Sequence, residues 1–146
     1  MKKAYTFVRK YPLSILCLLL VWYLSIWFMP PEWPELEDLA FIDKWTHFVM
    51  YGGTCSVIWW EYLQHHGRPK APGSSETPKR INKRKLFLLG WLAPILMSGC
   101  IELVQEYLTE NRAGEWLDLA ANATGCTIGA IIGMTYWHYR KPSVRP

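Results

Sequence analysis

The chain has 146 residues, 51% of them hydrophobic and 15% aromatic, with a formal net charge of +4. That length holds one domain, residues 1–146. The basic excess has none of the layout of a nucleic-acid module, so nucleic-acid binding is not expected. Mean hydropathy is near zero, as in a soluble protein, but the average hides four apolar blocks separated by polar, Pro-rich or basic stretches. Blocks of about 20 apolar residues are long enough to cross a bilayer.

Residues 1–11 carry Lys2, Lys3, Arg9 and Lys10. Pro12 then opens an apolar run to Met29, and proline suits the first turn of a helix. The run is long for a secretory signal. It is followed by Pro30-Pro31-Glu32-Trp33-Pro34 rather than a small-residue cleavage site, so an uncleaved span over about 12–29 is expected. An acidic linker leads to a second span over about 44–66. Residues 67–85 read as a flexible, basic loop rich in Pro, Gly and Ser. The third span covers about 86–108, with Pro94 expected to kink it. A tight polar turn, 109–115, precedes the fourth span, about 116–139, and a basic tail. Cys17, Cys55, Cys100 and Cys126 fall one per block with no metal-ligand or CxxC spacing, and read as small buried hydrophobes.

Loop cations orient the chain. Of the sixteen Lys and Arg, only Lys44 and Arg112 lie outside the N-terminal stretch, the 67–85 loop and the tail. The expected fold is therefore all-α: an integral membrane bundle of four transmembrane helices with both termini cytoplasmic. Along the fourth span Ala121, Gly125, Gly129 and Gly133 recur every four residues. Such a ridge allows close helix packing within the chain or, alternatively, through a homodimer.

The outer ends of the spans carry the informative residues. Asp43, His47 and Tyr51 are spaced i, i+4, i+8, Glu102 stands beside Gln105 and Glu106, and Asp118 and Asn122 are four apart. Each set shares a helix face. Helical rise places Tyr51, Glu102 and Asn122 at one level, about 9–10 Å below the outer end, and His47, Gln105, Glu106 and Asp118 above it. Polar groups at that depth are costly without partners, so these faces should turn inward around an outward-open polar cavity. Arg112 is the expected cation for Glu102, with Lys44 the second choice. Glu61 reads as an interfacial residue or a partner for loop cations, and His65 and His66 as solvated. His47, Glu102 and Asp118 also make a plausible divalent-metal set. No strong metal spacing accompanies them, and no metal or cofactor is expected.

Asp43-Lys44-x-x-His47-Phe48-x-x-Tyr51, then Glu102-x-x-Gln105, Arg112 and Asp118-Leu119-x-x-Asn122-x-x-Gly125, resemble the signatures of the VanZ-like family in order and spacing. The resemblance runs from about Asp43 to Gly133. The 67–85 loop is longer and more basic than that pattern, and Glu106 adds a carboxylate. The resemblance implies a small bacterial protein of the cytoplasmic (inner) membrane. The family is named for a protein linked to teicoplanin resistance, and its members generally have no settled activity.

The expected function is binding, without catalysis, of an amphipathic or lipid-linked ligand: a membrane lipid, a lipid-linked envelope precursor or a glycopeptide, with a role in glycopeptide tolerance. Lys44 and Arg112 would hold an anionic head, and Asp43, His47, Tyr51, Glu102, Gln105, Asp118 and Asn122 complete the expected ligand-binding set. The alternative is an intramembrane hydrolase or transferase on lipid-linked substrates, with His47, Glu102 and Asp118 catalytic.

Overall fold

The computed structural model describes residues 2–27, 42–67, 81–108 and 115–140, and among these the chain is all-helical. Arg112, and with it most of the polar turn and the basic loop, lies outside the described residues. The helices are α1 (Lys2–Lys10), α2 (Pro12–Ile26), α3 (Ile42–Gly67), α4 (Lys83–Phe87), α5 (Ala93–Leu108) and α6 (Trp116–Arg140). A π turn, Leu88–Leu92, joins α4 to α5 without a break.

Helix α1 was not expected. Its sequence, KKAYTFVRK, is amphipathic, and it ends because Tyr11 precedes a proline. Pro12 disfavours the helical region for the residue before it, and Tyr11 sits at φ −130°, ψ 52°. Glu61 then supplies what α2 lacks at its start. Its carboxylate accepts from the Leu13 N–H (3.1 Å), the Ser14 N–H (2.9 Å) and the Ser14 hydroxyl (2.6 Å). Glu61 is therefore neither interfacial nor a partner for loop cations. It is a buried cap, supplied from another helix, at the end of α2 where free N–H groups favour an anion.

The expected kink at Pro94 takes the form of the π turn. Proline has no N–H for the Gly90 carbonyl four residues back, and its ring crowds that carbonyl. The helix widens, with the Ala93 N–H reaching Leu88. The freed Gly90 oxygen accepts from the Trp59 indole at 2.8 Å. Gly90 permits this approach, since a β-carbon there would stand 3.0 Å from the indole nitrogen. The helix also begins earlier than expected, at Lys83, where Asn82 caps it by accepting from the Lys85 N–H at 3.0 Å.

Helices α3 and α6 form the closest pair. A β-carbon on Gly125 would overlap the Phe48 carbonyl oxygen, and one on Gly129 the Gly52 carbonyl oxygen. One on Gly133 would come within 2.7 Å of Trp59 Cβ. The Ser56 hydroxyl lies 2.8 Å from the Gly52 oxygen and 3.1 Å from the Gly129 oxygen, sharing its proton across the seam. The glycine ridge thus faces α3 of the same chain. Helix α2 packs on α3, and α5 on α6, and from the π turn the Trp91 indole donates to the Thr127 hydroxyl of α6 at 3.0 Å. Val21, Tyr51, Cys55 and Cys126 form the central apolar cluster. All four cysteines are free, but only Cys55 and Cys126 are buried. Cys17 is half-buried and Cys100 exposed, because α2 and α5 turn those positions outward.

Two helical stretches are long and apolar enough to cross a membrane, Lys83–Tyr107 and Trp116–Tyr139. Helix α2 is apolar but spans 15 residues. Helix α3 is long but interrupted by His47, Glu61 and Gln64. The polarity of the described residues is inverted. His47, Glu61, Ser98, Glu102, Gln105, Asp118 and Asn122 are buried, whereas Leu19 (63%), Val49 (64%) and Leu96 (61%) are exposed.

Candidate functional site

The buried polar residues collect where the start of α3, the end of α5 and the start of α6 meet. Glu115 immediately precedes α6, and its carbonyl accepts from the Asp118 N–H at 3.1 Å and the Leu119 N–H at 3.3 Å. That turn sets Asp118 over α3. One helical turn further on, the Asn122 carbonyl oxygen accepts from His47 Nδ1 at 3.1 Å, and its amide donates to the Ser98 hydroxyl at 2.7 Å. Asn122 therefore links α3, α5 and α6 at one point, buried to 1% exposure. Tyr51, beside Ser98, closes this level from below.

Above it lies an ion-pair cluster. The Lys44 ammonium contacts Glu115 Oε2, Asp118 Oδ1 at 2.9 Å and Asp43 Oδ2 at 3.6 Å. His47 Nε2 faces the remaining oxygens of Asp43 and Asp118 at 3.8 and 3.7 Å. With Nδ1 donating to Asn122, Nε2 is the nitrogen directed at the carboxylates. Asp43, His47 and Asp118 each place a ligand-type atom within 4.8 Å of the other two. Any three-residue metal set in the described residues would thus contain Asp43 in place of Glu102, with the Lys44 ammonium already on two of its oxygens.

Glu102 stands apart from His47. Its Oε2 accepts from the Glu115 N–H at 3.1 Å, which draws it to the mouth of the site. Ser98, one turn deeper on α5, takes the place opposite Asn122 that the depth reading assigned to Glu102. The second carboxylate oxygen, Oε1, is buried and among the described residues has no hydrogen-bond partner. Glu102 also lines a groove of about 530 Å³ between α5 and α6, whose other walls are mainly apolar, with Leu96, Leu103, Trp116 and Leu119 among them and Glu106 and Glu115 at the edge. This groove is lateral and mainly apolar, unlike the polar cavity expected between the helices, and of the expected ligand-binding set only Glu102 lines it.

Gln105 is used elsewhere. It is buried and its amide donates to the Ser25 carbonyl at 2.8 Å, tying α5 to α2. The structure brings Asp43, Lys44, His47, Asp118 and Asn122 together, sets Tyr51 beneath them and Glu102 at their edge, and turns Gln105 toward α2. Ala121 is half-buried on α6, one turn before Gly125. Two participants were missed from sequence. Ser98 lies four residues before Glu102, so its face was readable, but a lone serine in an apolar helix gives no signal. Glu115 ends the polar turn just before an apolar helix, the ordinary place for a cap. His66, expected to be solvated, is half-buried, stacks on Tyr62 and accepts from the Lys10 ammonium at 3.2 Å.

No family model, curated protein or solved structure matches the chain.

Proposed function

We propose that this chain is a four-span, VanZ-like protein of the bacterial cytoplasmic membrane, with both termini cytoplasmic, that binds an amphipathic or lipid-linked ligand at its outer end. Apolar side chains exposed along α2, α3 and α5, around a polar interior, suit lipid as the solvent. Such a surface would be an aggregation liability in water.

One observation carries the ligand reading: the buried Glu102 Oε1, without a partner among the described residues, at the polar edge of the apolar α5–α6 groove. Buried acceptors ordinarily have partners, and a ligand head in the groove would provide one. The charge balance also revises the expected ligand. Lys44 is already shared among Asp43, Glu115 and Asp118. Among the described residues the mouth therefore favours a head that donates hydrogen bonds, a hydroxyl-bearing or amino-bearing sugar, over an anion. Lipid-linked sugars and glycopeptides both have such groups, which keeps glycopeptide tolerance within this reading.

Purified protein in neutral detergent should bind an alkyl aminosugar better than an alkyl phosphate of equal chain length. Glu102→Ala should weaken the aminosugar by about tenfold, as for a hydrogen bond to a charged group. Equal binding of both probes, or no effect of Glu102→Ala in a folded protein, would defeat the proposal.

A second reading is favoured by the imidazole, which Asn122 orients against two carboxylates, an arrangement suited to general-base chemistry. It makes the chain a hydrolase or transferase using His47, Glu102 and Asp118. Turnover of a lipid-linked sugar that is abolished by His47→Ala would establish it over the first.

A further inference from the structure

A second cavity, of about 440 Å³, lies at the other end of the bundle, between α2, α3 and the helix running from α4 into α5. Its three walls share one pattern. On the α1–α2 wall the lining runs from Thr6 and Phe7 through Lys10 to Leu18, on α3 from His66 to Ile58, and on the α4–α5 wall from Lys85 to Ala93. On α3 and on the α4–α5 wall eight residues, about 12 Å of helix, separate a basic side chain from an apolar one, and on the first wall Lys10 and Leu18 stand eight residues apart across the break at Tyr11. Each wall therefore carries a basic side chain toward one end and an apolar one toward the other, with Phe7 beside Lys10 on the first.

None of the described residues lining it is acidic. Glu61, which accepts from the lining residue Ser14, is engaged in capping α2 and is not itself in the lining. The Tyr11 hydroxyl adds a further hydrogen-bonding group at the basic end. The cavity thus matches a molecule with an anionic head and a hydrocarbon tail, oriented along the helices. Basic pockets between spanning helices on the cytoplasmic side are suited to anionic lipid heads.

We infer that this cavity binds an anionic phospholipid, its phosphate between Lys10 and Lys85 and one acyl chain along Leu18, Ile58 and Ala93. The site is separate from the outer groove and rests only on the membrane reading given above. There the basic termini face the cytoplasmic leaflet, whose anionic lipids attract basic segments.

The test is binding of phosphatidylglycerol and of phosphatidylcholine with matched chains to the full-length protein, in neutral detergent, by native mass spectrometry. Phosphatidylglycerol should bind in preference. The pair Lys10→Gln and Lys85→Gln should weaken it about twenty-fivefold, about fivefold for each charge, and leave phosphatidylcholine unchanged. The control pair Arg9→Gln and Lys83→Gln, outside the lining, should retain the preference. Ala93→Trp, which keeps every charge and fills the apolar end, should also weaken phosphatidylglycerol. Equal binding of the two lipids, an equal loss from the control pair, or displacement by inorganic phosphate alone would each overturn the site. Recovery of the wild-type chain in the aqueous phase without detergent would instead defeat the membrane reading. A chain that needs detergent but shows no lipid preference defeats this site alone.

Discussion

Glu61 shows how much one side chain can settle. A carboxylate buried in an apolar helix is costly unless it is hydrogen-bonded, and here it accepts from three donors at the start of α2. Glu61→Ala should lower stability by about 2 kcal/mol, since it strands two backbone N–H groups and a hydroxyl. Thermal unfolding in detergent would read this as a fall in Tm, and an unchanged Tm would deny the cap its role. The sequence could not reveal this contact, because the donors lie 47 residues away and serine in an apolar helix carries no sign of its partner. The outer site was more legible. His47, Asp118 and Asn122 stood out because their i, i+4 spacings set whole polar faces on helices otherwise apolar. The level of Glu102 was misjudged for a local reason: the Glu115 N–H, free at the start of α6, pulls its carboxylate toward the mouth.

At the scale of elements, α3 and α6 depend on glycine for their spacing, but not at every glycine. Gly129→Ala would drive a methyl group into the Gly52 carbonyl and force the two backbones apart, at a cost of about 1–3 kcal/mol. Gly53, its neighbour across the seam in sequence terms, has nothing within 4 Å of its would-be β-carbon. Gly53→Ala should therefore stabilise the helix by up to about 1 kcal/mol, through backbone entropy alone. Opposite signs for the two substitutions in one denaturation series would confirm the seam, and matching signs would refute it. The ridge itself was readable from its four-residue period. The π turn was not. Proline predicts only that a helix must yield, while the manner of yielding was chosen by Trp59, which offers an indole N–H to the carbonyl set free.

For the molecule as a whole, the topology we propose has a direct test. With native cysteines replaced, Ser74→Cys in the basic loop and Asn111→Cys in the polar turn should label oppositely with a membrane-impermeant maleimide. In intact spheroplasts only the Asn111 position should react, and after lysis both should. Reaction at Ser74 in intact cells would invert the bundle and with it both proposed sites.

The α3–α6 seam has a consequence for how the chain is made. The two backbones that lie closest are far apart in sequence, with Ser56 and Gly129 separated by 73 residues. At translation rates of about 5–20 residues per second, α3 emerges several seconds or more before the helix that covers its glycines and pairs with His47 and Lys44. During that interval its polar face has no α6 to meet. In that interval α2 is the partner at hand, since Glu61 on α3 caps it without any residue of α6. The cap is thus a contact that the first two helices can make before the last is synthesised.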